Sequence, residues 1–168
     1  MTTADPLHLD MREFLATGTL GPVRLGATMT ELRDRLPAAV DEFAEPSGFA
    51  AWAYGALELH FFDDSLFRVW CDCLPALLSA TSKAGQLTID PWIVCDDRPR
   101  TLAEMLPEFA RYGWGIQLST RGENRSSVTV KILNSGVDLL FEAPESGEVD
   151  GASAWPTYEL VAFGLGSD

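Results

Sequence analysis

The chain has 168 residues, 46% of them hydrophobic and 22% charged, a composition suited to a globular protein that buries its own core without disulfides or metals. Its formal charge is −13, with twelve acidic against six basic residues in 1–84 and thirteen against six in 85–168. Basic residues are nowhere clustered. That argues against nucleic acid and anionic membranes as partners; a negative surface suits a basic protein, which it would steer inward, or serves solubility alone.

Met1-Thr2-Thr3-Ala4-Asp5-Pro6 lacks the basic and apolar stretches of a secretion signal, and no run approaches the length of a membrane span. Three cysteines, with Cys71 and Cys73 one residue apart, do not form a disulfide framework. A cytoplasmic location with free thiols is the expectation.

In chain order, Asp5-Pro6 reads as a helix start, with Leu7, Met11, Phe14 and Leu15 on one apolar face and Gly18 as the stop. Leu20 to Gly26 reads as a short extended arm. Thr28-Met29-Thr30-Glu31 is a capping box, opening a short helix that carries Met29, Leu32 and Leu36 inward until Pro37. Residues 38–48 read as an acidic loop. Phe49–Tyr54, Leu57–Phe62 and Leu66–Cys71 then alternate as three strands of an antiparallel meander.

Residues 74–86 are small and turn-rich, the best candidate for a linker, and divide the chain into a first unit (1–73) and a second (87–168). Leu87–Ile89 and Trp92–Cys95 read as short strands. Thr101-Leu102-Ala103-Glu104 is a second capping box, whose helix carries Leu102, Met105, Leu106 and Phe109 inward. Pro107 predicts a kink or early stop in it. Ile116–Leu118, Val128–Leu133, Val137–Phe141 and Tyr158–Gly164 read as strands, and the acidic stretch 143–156 as a long loop.

The two units can be overlaid. Thr28-x-x-Glu31 matches Thr101-x-x-Glu104, and Leu57–Phe61 matches Val137–Phe141. Leu66-Phe67-Arg68-Val69-Trp70 is laid on Glu159 to Phe163. The fold class that follows is α+β, two similar helix-plus-antiparallel-meander units forming one or two packed sheets.

The run Leu20-Gly21-Pro22-Val23-Arg24-Leu25-Gly26 into the capped helix, then Trp52-x-Tyr54-Gly55-x-Leu57-Glu58-Leu59-x-Phe61 and Phe67-Arg68-Val69, resembles two groups. One is a set of uncharacterised actinobacterial proteins of immunity type. The other is the helix-plus-meander unit of the beta-lactamase-inhibitor-protein and small outer-membrane lipoprotein group. The resemblance covers residues 20–71 well and the second unit loosely. It implies a protein-binding module and no catalytic residues.

The residues themselves carry no catalytic, metal or cofactor signature. Cys71-x-Cys73 with Cys95 and His60 lacks the paired spacing of a zinc site, and no Cys-x-x-Cys stands at a helix start. His8 and His60 have no nucleophile pattern beside them. Asp63-Asp64 suits a hairpin turn, Asp96-Asp97 precedes Arg98 and Arg100, and Gly113-Trp114-Gly115 opens no phosphate-binding helix.

Aromatic residues remain as the lead: Trp52, Tyr54, Phe62, Trp70, Trp92, Tyr112 and Trp114. Those left on an outer sheet face would form an aromatic patch rimmed by acid. The expected function is therefore a non-enzymatic module for a basic protein partner. Glu42, Glu45, Trp52, Tyr54, Asp63 and Asp64 are its contact residues in the first unit, and Glu145, Glu148 and Trp155 in the second. The alternatives are a small-ligand or enzymatic pocket between the units with His60 beside it, or a homodimer.

Overall fold

The computed structural model describes residues 7–77, 87–95, 98–121, 126–143 and 155–166. Asp10, rather than Asp5, caps the first helix: its carboxylate accepts from the N–H groups of Arg12 and Glu13 at the start of α1 (Met11–Thr17). The Asp5-Pro6 start lies outside the described residues. Leu7 belongs to a short strand, β1 (Leu7–Leu9), which is buried, exposed and buried in turn. The spacing misleads here because Leu7 keeps helical step with Met11 and strand step with Leu9.

Gly18 ends α1 at φ 75°, a backbone state that suits glycine. Leu20 to Gly26 is not an extended arm. Leu20 and Val23 exchange backbone hydrogen bonds of 2.9 and 3.0 Å, and the bonded pair closes a tight turn around Gly21-Pro22. The capping box at Thr28 is present with both of its bonds, and α2 (Met29–Arg33) follows.

Part of the expected acidic loop is a strand, β2 (Asp41–Ala44). All four of its residues are exposed, so no apolar face announces it. Pairing to the next strand holds it. β3 (Phe49–Tyr54), β4 (Leu57–Phe62) and β5 (Ser65–Cys71) follow closely the expected spans. Residues 74–77 form a helical turn with Leu74 and Leu77 buried, so the linker composition hides two core leucines. The rest of that linker lies outside the described residues.

β6 (Leu87–Ile89) pairs in parallel with β1, tying the two units together. Pro91–Ile93 is a turn of 3-10 helix rather than strand, and β7 (Val94–Cys95) pairs with β8 (Arg98–Pro99). The second capping box opens α3 (Leu102–Arg111), which runs through Pro107 without stopping. Proline removes the bond to the Ala103 carbonyl. Both residues lie on the exposed side of the helix, where water can take that carbonyl, while Leu102, Met105 and Phe109 anchor the buried side.

β9 (Ile116–Arg121), β10 (Ser127–Ile132), β11 (Asp138–Glu142) and β12 (Glu159–Gly166) form a second meander. Both meanders have four strands. They share one antiparallel sheet of eight, ordered β2-β3-β4-β5-β12-β11-β10-β9, so the last strands of the two units meet at its centre.

The hydrogen bonds place one unit on the other residue by residue. Leu66 N–H donates to Ala27 and Leu160 N–H to Arg100. Met29 N–H donates to Asp64 and Leu102 N–H to Tyr158. Thr28 thereby corresponds to Thr101 and Leu66 to Leu160, one residue away from the sequence overlay, which set Leu66 on Glu159. Each unit has a bulge at the matching place: Phe67 is the extra residue between β4 and β5, and Val161 the extra residue between β11 and β12. A bulge breaks strict alternation, which is why the overlay slipped. At the centre Val69 pairs with Leu165, Cys71 with Phe163, and Trp70 with Gly164, so a pseudo-two-fold axis passes through the last pair.

One sheet face is buried by the helices. Leu57, Leu59 and Phe61 line it in the first unit, and Val137, Leu139 and Phe141 in the second, all fully buried. Phe14 of α1 meets Phe163 edge-on at 5.7 Å. Among the described residues no helix is long and apolar enough to cross a membrane.

Candidate functional site

The opposite face of the sheet carries the side chains that alternation turns away from the helices. Cross-strand pairing lines them up in rows. One row runs Asp41, Ala53, Glu58, Trp70, Gly164, Asp138, Lys131, Gln117, across all eight strands. The next runs Phe43, Ala51, His60, Arg68, Gly166.

In the first unit this face is aromatic. Phe49 packs against Phe43, His60 and Phe67 with ring centroids 6.3, 5.7 and 6.3 Å apart. His60 lies between Phe49 and Phe67, and its Nε2 is 2.7 Å from a Glu58 carboxylate oxygen. Phe43 and Phe62 are 54% and 52% exposed, a large apolar area to leave in water. The same face of the second unit is different. By the pseudo-symmetry Ser119, Thr129 and Leu140 stand where the first unit has Phe43, Ala51 and His60. The helix faces keep matching apolar residues while the open faces diverge.

The contact residues expected from sequence fall into separate places. Trp52 and Tyr54 are 3% and 2% exposed on the helix side, so they cannot touch a partner without repacking. Trp52 lies 4.7 Å from Phe61, and the Arg33 guanidinium covers its ring at 4.7 Å. Tyr54 donates its hydroxyl to the Pro37 carbonyl, and burial pushes the phenol up to about 12. Glu42 faces the same side and takes both guanidinium nitrogens of Arg33, at 3.3 and 2.7 Å. These residues line a cavity of about 290 Å³ between α2 and the β2–β3 edge.

Glu45, Asp63 and Asp64 gather at one end of the sheet. The Asp63 N–H donates to the Gly48 carbonyl, and the Gly48 N–H to Glu45, which joins the β2–β3 and β4–β5 turns. Asp63 and Asp64 both have positive φ, 47° and 68°, the two-residue turn that matches strand twist. Asp64 also accepts from the Met29 N–H at the start of α2. Trp155 lies in a turn before β12, half-buried against the core. Its Nε1 is enclosed with no hydrogen-bond partner among the described residues. Glu145 and Glu148 lie outside the described residues.

The open-face residues that sequence reasoning missed are Phe43, Phe49 and Phe67. Phe43 sat in an expected loop. Phe67 sits at a bulge, so strict alternation assigns it to the wrong face. Only the odd–even register of Phe49 with Ala51 and Ala53 marked it.

The thiols of Cys71 and Cys73 sit in different surroundings. Cys71 is fully buried and its thiol pushed up to about 12 by desolvation, while Cys73 is exposed. Among the described residues no cluster of histidine, cysteine and carboxylate side chains could hold a metal ion. No family model, curated protein or solved structure matches this chain.

Proposed function

We propose that the protein is a non-enzymatic binding module that docks a basic protein on the open face of its sheet, in the manner of an immunity or inhibitor protein. The observation that carries this reading is the exposed pair Phe43 and Phe62, set against the Phe49–His60–Phe67 cluster. Aromatic side chains in a patch with a polar border are the usual anchors of protein interfaces. Asp41 and Glu58 on the face, with Glu45, Asp63 and Asp64 at its end, give that border a negative sign. The chain's charge of −13 would steer a basic partner toward it.

The same reading treats the halves as an internal repeat, with a shared scaffold and a diverged open face. It agrees with the resemblance to helix-plus-meander inhibitors. Here the contact surface is the sheet face, and Glu42, Trp52 and Tyr54 support it from behind.

The test compares retention of host proteins on immobilised wild type and on the F43S/F62S variant, at low and high salt. A basic protein retained at low salt, released by salt and lost in the variant supports the proposal. Equal retention by both proteins, or none by either, removes it.

A further inference from the structure

Among the described residues the large sheet ends in β2 on one side and β9 on the other, and the two edges differ. β2 is short and carries Asp41 and Glu42, charges that discourage a further strand. In β9, Ile116 to Thr120 carry no charge, and Arg121 after them has the sign opposite to the chain's excess. Gln117, Leu118, Ser119 and Thr120 are all exposed, Leu118 by 45%. The β9 ladder to β10 runs from Ile116 to Arg121 without a register shift. Proline, acidic charge and bulge, the usual guards of an outer strand, are all missing from it.

The hydrogen bonds fix which backbone groups of β9 face outward. Leu133 N–H donates to the Gly115 carbonyl at 2.8 Å, and Ile132 N–H turns the other way, to Val137. Antiparallel ladders bond alternate residues, so Gln117 and Ser119 bond to β10. The N–H and C=O groups of Ile116, Leu118 and Thr120 point away from it. That outward set is symmetric about Leu118.

We propose that β9 pairs with β9 of a second copy of this chain, antiparallel about a two-fold axis at Leu118. In that register the Leu118 N–H and carbonyl groups of the two copies bond each other, and Ile116 bonds Thr120 of the second copy. The two Leu118 side chains lie side by side on the helix face. Gln117 stands opposite Ser119 of the second copy on the open face.

Charge selects a second copy over a foreign strand. A basic partner is drawn to acidic residues, which β9 lacks. Two chains of charge −13 repel wherever their acidic surfaces meet, and β9 gives them an approach without acid. The contact also closes on itself, because pairing about a two-fold uses the same residues of both chains. It lies at the opposite end of the sheet from Phe43 and so leaves the aromatic patch open.

Sedimentation equilibrium up to about 1 mM protein, which registers even a millimolar association, tests this. A monomer–dimer equilibrium that stops at the dimer is expected. Leu118→Glu sets two carboxylates against each other at the axis and should weaken association about tenfold or more. Thr120→Pro should weaken it too while sparing the fold, since it deletes an N–H that β10 does not use. Amide hydrogen exchange supplies the signature of this edge. Protection of the Leu118 and Thr120 amides in the wild type should rise with protein concentration, and that of Leu118 should be lost in Thr120→Pro. The Gln117 and Ser119 amides should stay protected throughout. F43S/F62S should leave the dimer intact, which separates this edge from docking on the open face. A monomer at every concentration would overturn the proposal, as would a mass that climbs past the dimer, the result of β9 pairing with β2. So would a dimer in which the Leu118 and Thr120 amides exchange as fast as in the monomer.

Discussion

Trp70 lies across Gly164 at the pseudo-two-fold axis: a Cβ on that glycine would sit 2.8 Å from the indole Cζ3 and closer still to Cε3. The two positions correspond by symmetry and are paired directly. One can hold a large ring only because the other holds none. Gly164→Ala is expected to lose about 1–3 kcal/mol of stability, the usual cost of overpacking. Urea unfolding of Gly164→Ala, Trp70→Ala and the double variant checks the cause. The added methyl should cost much less once the indole is gone, a coupling of about 0.5–3 kcal/mol. Simple additivity would show that the ring is not what excludes the side chain.

Glu104 gives a pH dependence with a definite sign. Its carboxylate takes both guanidinium nitrogens of Arg98 at 3.1 and 2.7 Å and the Thr101 N–H at 2.7 Å. Those hydrogen bonds, Arg98 first, hold the carboxyl at about 2 against its ordinary 4.5. A folded-state value below the unfolded one contributes stability above the unfolded value and loses it as pH falls toward the folded value. Wild type should therefore exceed Glu104→Gln in stability at neutral pH, and the difference should close between about pH 4.5 and pH 2. Chemical denaturation across that range measures it. A constant difference would place the contribution in packing instead.

Cys71 and Cys73 should differ in reactivity. The thiolate is the reacting form, and burial pushes the Cys71 thiol up to about 12 while Cys73 is exposed. Iodoacetamide labelling of the native protein, read by peptide mapping, is expected to modify Cys73 and to spare Cys71 until denaturant is added. Comparable labelling of the two would mean that β5 opens readily at its end.

Much of the scaffold was legible because it depends on local rules. Thr28 with Glu31 and Thr101 with Glu104 announce helix starts through side chains that bond the nearby backbone. The strands around Leu57–Phe61 and Val137–Phe141 announce themselves by alternation. What failed depended on distant pairing. β2 has no apolar face and exists through its ladder to β3, and β1 exists through its ladder to β6. The candidate site was harder to read. Trp52 and Tyr54 stood out by size, yet residue type does not tell which face of a sheet a side chain takes. Phe67 was concealed by the bulge.

The closure of β5 against β12 sets an order of events during folding. β5 ends at Cys71, yet its partner comes from Glu159–Gly166, so β2–β5 must wait for the synthesis of that distant strand before their inner edge is covered. A contact that distant in sequence is slow to form, and an uncovered strand edge invites pairing with other chains meanwhile. Nascent chains that stop before residue 159 would be the species most prone to aggregate, and protection from that fate arrives only with the final strand.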